Sequence, residues 1–125
     1  MKTNRNAIGV LEINYYANTV VVVDQALKAA EVEIVSCHKK LGGRMCHTVL
    51  AGETSAVRAA VEAARDAGRI VGDGNVKVSI SIENPHPEVL KLLNMIDKHE
   101  NEKVSVKPEE EQTNLRRKSK WQRQQ

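Results

Sequence analysis

The 125-residue sequence predicts an α+β fold: a four-stranded antiparallel sheet built in the order β-α-β-β-α-β, with its helices on one face. Three observations predict it. Four short segments run apolar or alternate apolar with polar residues, as half-buried strands do. Helix-forming stretches, with apolar residues three and four apart, separate the first strand from the second and the third from the fourth. A glycine turn, Leu41-Gly42-Gly43-Arg44, joins the second strand to the third.

Ala7-Ile8-Gly9-Val10-Leu11-Glu12-Ile13-Asn14 reads as the first strand. Residues 15–30 read as a helix: Val20, Val23/Asp24, Leu27 and Ala30 recur at helical spacing, and Gln25-Ala26-Leu27-Lys28-Ala29-Ala30 is strongly helix-forming. The run Val20-Val21-Val22-Val23 alone would suit a strand, so the second half of the segment decides. Val32-Glu33-Ile34-Val35-Ser36-Cys37 alternates as a strand, and residues 45–51 return as the next one. Between them, Gly42 and Gly43 supply positive φ at no steric cost. Gly52-Glu53-Thr54-Ser55 punctuates, with Thr54 or Ser55 expected to cap the second helix.

That helix sets Val57, Ala60, Val61, Ala64 and Ala67 on one face and Arg58, Glu62, Arg65 and Asp66 on the other. Gly68 is expected to stop it. Gly72-Asp73-Gly74-Asn75 makes a tight connection into residues 75–82, where Val76, Val78, Ile80 and Ile82 alternate with Lys77, Ser79 and Ser81. Pro85 and Pro87 end that strand, and residues 88–96 form a short amphipathic C-terminal helix through Val89, Leu92, Leu93 and Ile96. The order is the ferredoxin-like split arrangement, which hosts many unrelated functions and licenses none by itself.

Composition divides the chain into a domain over residues 1–97 and a charged, disordered extension over residues 98–125. The extension carries eight Lys/Arg against five Glu, a net +3 that equals the net charge of the whole chain. The domain is therefore close to neutral, which excludes a basic nucleic-acid-binding core. With no Phe, one Trp and two Tyr, the core must be built from Val, Ala, Leu and Ile. A core of that size is marginal alone, so association is a natural source of further stability. The four-valine run is far too short to span a bilayer. Met1 to Asn6 is expected to run straight into the first strand, without a leader. Cys37 and Cys46 form no C-x-x-C pair and are expected as free thiols in a reducing cytoplasm.

Several segments, collinear over about 90 residues, resemble the single-domain, hexamer-forming shell proteins of bacterial microcompartments, the BMC domain family. Ala7-Ile8-Gly9-Val10-Leu11-Glu12 resembles the family's opening strand, and residues 23–35 its first helix and following strand. Lys40-Leu41-Gly42-Gly43 resembles the glycine turn that lines the family's central pore. Residues 51–60 resemble the opening of the second helix, and Asn84-Pro85-His86 falls at the family's Pro-His edge motif.

The resemblance implies a bacterial cytoplasmic shell subunit that forms a homohexamer and tiles with other shell proteins. It implies a pore at Leu41, Gly42, Gly43 and Arg44 for small metabolites, and a hexamer edge at Lys28, Asn84, Pro85 and His86. Two departures stand out. Asn84 replaces the arginine that usually precedes Pro-His, exchanging a multi-donor guanidinium for a short amide, so flat tiling by this chain alone competes with a place as a minor subunit. One residue more than the family pattern falls near Lys39 and Lys40. Arg44 stands where the family often carries a small residue. Six guanidinium groups on a sixfold axis would repel one another, and a bound anion would relieve this. Alternatively, Arg44 turns to a carboxylate on the neighbouring subunit.

Cys46-His47 follows the turn, and some microcompartment shell proteins hold an iron–sulfur cluster at the pore. Cys46 is thus a candidate metal ligand, with Cys37, His38 and His47 as further donors, although no local spacing matches a metal motif. The alternative is a packed thiol. Glu12, Asp24, His38 and His86 are tied to no common surface by their spacings, and no nucleophile elbow, P-loop or dinucleotide turn occurs, so no enzyme is expected. In the extension, Leu115 and Trp121 lie among Arg116, Arg117, Lys118 and Lys120, behind Glu109-Glu110-Glu111. That segment is either solvated chain or a docking helix for an anionic partner, an encapsulated enzyme or nucleic acid. The rival class for the whole chain is a small ligand-binding regulatory module on the same fold.

Overall fold

The computed structural model describes the backbone over residues 6–105 and the side chains over residues 6–96. The remainder of the extension, with Leu115 and Trp121, lies outside the described residues. Strands β1 (Ala7–Asn14), β2 (Glu33–Lys40), β3 (Met45–Gly52) and β4 (Val76–Glu83) form one antiparallel sheet in the order β2-β3-β1-β4. Helices α1 (Tyr16–Ala29) and α2 (Thr54–Asp66) connect β1 to β2 and β3 to β4, as the α+β reading expects. A short helix α3 (Gly68–Val71) follows α2. Met1–Pro87 forms one unit and Glu88–Gln125 a second.

Both helices pack on the same face of the sheet. Leu11, Ile13 and Leu50 from the strands meet Val22, Val23 and Ala26 from α1 and Ala60 and Ala64 from α2. The alanine face of α2 is buried as its spacing predicts. Because alanine is short, the helix comes close to the sheet. At Gly9 in β1, a Cβ atom would stand 2.9 Å from Val61 Cγ2 and 3.4 Å from Val57 Cγ1, so a glycine is what the packing admits.

Five local expectations are corrected. In α1 the buried face is Thr19, Val22, Val23 and Ala26, whereas Val20 and Leu27 are exposed. The valine run makes this helix apolar nearly all round, so spacing alone could not choose its inward face; Thr19 goes inside by donating its hydroxyl to Tyr15 O at 3.0 Å. At the head of α2, Glu53 occupies the cap position without a side-chain hydrogen bond, and Thr54 is already helical. Gly68 does not stop the helical run but begins α3, which ends at Gly72 with φ 100°. A side chain at Gly68 would meet Asp73 Oδ1 at 2.9 Å, so close approach accounts for this glycine.

The fourth correction concerns β4. Its alternation is as expected, but the serine side faces the helices: Ser79 is 5% exposed, whereas Ile80 is 48% exposed. Register explains this, since Leu11 pairs with Ser79 and Val10 with Ile80. Ser79 donates its hydroxyl to Val61 O at 2.7 Å, and the Arg65 guanidinium donates to Ser79 O, so the buried hydroxyl is satisfied. The fifth concerns helix α4 (Pro87–Ser105), which runs well beyond the expected end at residue 96. The apolar spacing fades after Ile96, yet no glycine or proline interrupts the chain before Pro108, and Glu and Lys sustain a helix without an apolar stripe.

Candidate functional site

The turn between β2 and β3 is tightly constrained. Leu41, Gly42 and Gly43 take φ values of 54°, 67° and 89°, three consecutive residues in the left-handed region. Two glycines make this affordable, and Leu41 bears the strain of a non-glycine residue there. A Cβ at Gly42 would meet nothing within 4 Å, and the Leu41 side chain is 71% exposed, so the turn projects clear of its own chain. Its base is braced. Tyr15 N–H donates to Arg44 O at 2.7 Å, and Arg44 N–H donates to Leu41 O at 3.3 Å. The Lys39 ammonium lies 4.9 Å from the Tyr16 ring centroid, and Tyr16 Cβ lies 3.8 Å from the position of a Cβ on Gly43.

From Ser36 onward the strand ladder runs without interruption into this turn, ending on the pair Lys40 and Met45. Its register shift falls between Ile34 and Ser36, upstream of the extra residue expected near Lys39 and Lys40. Lys39, Lys40 and Arg44 are all exposed and lie in the turn or on the strand residues leading into it, so this end of the sheet is cationic.

The residues expected at the hexamer edge lie at the end of α1 and beyond β4. Lys28 Nζ pairs with Asp24 Oδ2 at 2.8 Å, one helical turn back. Asn84 has φ 46°, a conformation asparagine tolerates better than most residues, and its N–H donates to Asn6 O at 2.7 Å. Pro85 is partly buried and His86 exposed. Between α2 and the edge strand β4 runs a groove of about 370 Å³ lined by Arg58, Val61, Glu62, Arg65, Ile80 and Ser81. Arg58 pairs there with Glu83.

Cys46 is fully buried on the helix-facing side of β3, opposite Ile13, while Cys37 on β2 is exposed, with Sγ 3.5 Å from Thr48 Oγ1. Among the described residues, no group of three or more His, Cys, Asp or Glu side chains is arranged to hold a metal ion as it stands. Glu12 and His38, which their spacings along the chain tie to no common surface, are brought to one face of the sheet by strand pairing. Glu12 pairs with His47 across β1 and β3, and His47 pairs with His38 across β3 and β2, so the three stand in one row on the face opposite the helices. His47 Nε2 lies 3.9 Å from Glu12 Oε1. The signal was available in the hairpin: counting back two residues on each strand from the Lys40–Met45 pair sets His38 opposite His47.

No helix among the described residues is long and apolar enough to cross a membrane. Compared with known proteins, residues 7–85 match the family model described as the BMC domain. The chain is 41% identical over 92 residues to the carboxysome shell protein CsoS1A of Hydrogenovibrio crunogenus, covering 74% of this chain and 94% of that protein. It is 42% identical over 89 residues to the carboxysome shell protein CsoS1B of the same organism, covering 71% of this chain and 90% of the relative. A crystal structure of a microcompartment protein from Desulfitobacterium hafniense superposes with a TM-score of 0.57 and 26% identity, over 67% of this chain but only 44% of that one.

Proposed function

The chain belongs to the BMC domain family, and on that premise we propose that it builds microcompartment shells as a cyclic hexamer whose pore is lined by Leu41, Gly42, Gly43 and Arg44. The family role is structural: its relatives are shell proteins, not enzymes, and the place of work is a microcompartment shell in the bacterial cytoplasm, beside other shell proteins. The observation that carries the pore is the turn itself. Six copies can approach a common axis only where the backbone projects free of its own side chains, as it does at Gly42. A lining must also hold its shape, and the bond from Tyr15 N–H to Arg44 O supports that.

Exposed cations in and beside the turn favour small anionic metabolites in the lumen, because six copies of Arg44 would need counter-charge. Association is supported further by the apolar side chains left outside. Val20 and Leu27 on α1 and Ile80 on β4 are each more than a third exposed, a large share for a unit whose core holds no aromatic ring. Light scattering on the full-length chain is expected to return about six times the 13.9 kDa protomer mass. A dimer or trimer would sink the pore and favour a regulatory module instead.

Lys28, Asn84, Pro85 and His86 form the contact edge in this reading. The Asp24–Lys28 pair is exposed, 49% and 70%, so it contributes at most about 0.3–0.5 kcal/mol within the protomer. Lys28→Ala should therefore leave hexamer mass and melting almost unchanged while reducing sheets, or co-assembly with other shell proteins, in electron micrographs. If the variant lost the hexamer itself, Lys28 would belong to the interface between subunits, not to the edge. The short Asn84 amide offers fewer bonds to a neighbouring hexamer than a guanidinium, which favours mixed shells over sheets of this chain alone.

A further inference from the structure

We propose that Glu12, His47 and His38 form a binding site for a borderline divalent transition-metal ion of the Cu2+ or Zn2+ class. The three residues sit on adjacent strands β1, β3 and β2 in direct register, so all three side chains rise from one face of the sheet. Directly opposed residues of an antiparallel pair have Cβ atoms about 5 Å apart. Two imidazoles rooted at that separation can lean together until their nitrogens stand about 3 Å apart, as cis ligands at about 2.0–2.1 Å from one ion do.

The pair is open to solvent on His47, whose side chain is 44% exposed, and Glu12 is 26% exposed, so an ion has access and a carboxylate beside it. Glu12 Oε1 already lies 3.9 Å from His47 Nε2. It serves either as the third ligand or as the acceptor that orients the imidazole, both familiar uses of a carboxylate next to a metal-bound histidine. Two nitrogens and one oxygen select copper, zinc or nickel over the hard ions calcium and magnesium. The buried Cys46 thiol, on the other face of the sheet, takes no part. Since the side chains do not converge as they stand, binding includes a rotamer change of these half-buried side chains, with His38 giving up a contact it already makes. The site lies within one protomer and stands or falls separately from the hexamer.

The test is Cu2+ binding to the full-length chain, followed by calorimetry against a weak competing chelator and by electron paramagnetic resonance. One ion per chain with hyperfine structure from two imidazole nitrogens is expected. His38→Asn and His47→Asn should each abolish the two-nitrogen signal, and Glu12→Gln should weaken binding by about 10–100-fold. His86→Asn and His99→Asn should leave it unchanged. Circular dichroism of each variant separates lost ligands from lost folding, and His38, on the edge strand β2, keeps the test alive if His47→Asn fails to fold. Wild-type affinity retained by His38→Asn, or binding that disappears with His86 or His99, overturns the site.

Discussion

Replacing Leu11 with alanine is expected to lower stability by about 2–5 kcal/mol, toward the upper end of that range. Leu11 is fully buried at the centre of the sheet, among residues of both helices. Its neighbours Val22, Ala26, Ala60 and Ala64 are short, branched or both, and have little reach with which to refill a void. Set against a typical domain stability of about 5–15 kcal/mol, the loss would leave many protomers unfolded or associated only at high concentration. Chemical denaturation monitored by circular dichroism, at fixed protein concentration, checks it. A loss below about 1 kcal/mol would mean that the core collapses around the gap and is less rigid than its packing indicates.

Gly9→Val should rival that effect from the opposite direction, by overfilling. The first added atom would already lie 2.9 Å from Val61 Cγ2, and valine at position 61 is stiff at χ1, so it cannot swing aside cheaply. Lifting α2 off β1 is the remaining escape, at a cost of about 1–3 kcal/mol or more. Val61→Ala alone is destabilising too, but it removes the atoms that clash. The double variant Gly9→Val with Val61→Ala should therefore be more stable than the sum of the two single losses, by about 1 kcal/mol, as neighbours in a double-mutant cycle are. Strict additivity would show that Gly9 is required for some reason other than the approach of α2.

These two positions mark where sequence and structure part. The alanine face of α2 was legible because an amphipathic helix shows its apolar stripe directly, with charged residues opposite. The valine run of α1 hid its inward face for the converse reason: with apolar residues on every side, spacing carries no direction, and Val20 and Leu27 turned out exposed. Position 9 was a glycine in a strand, but nothing local says that a helix crosses there. The turn at Gly42 and Gly43 was legible because positive φ is written into the residue type. The row of Glu12, His47 and His38 was not read, since its members lie on three strands and meet only through register.

By itself the sequence determined the order and type of the elements, the glycine turn, and the segments by which the chain resembles its family, all consequences of propensity and spacing along a single strand or helix. Only the tertiary structure decided which side of each element is inside. Strand β4 shows why: alternation with a period of two is symmetric, so its serine and isoleucine faces are equally good candidates until pairing with β1 sets Ser79 beside Leu11 and turns Ile80 outward.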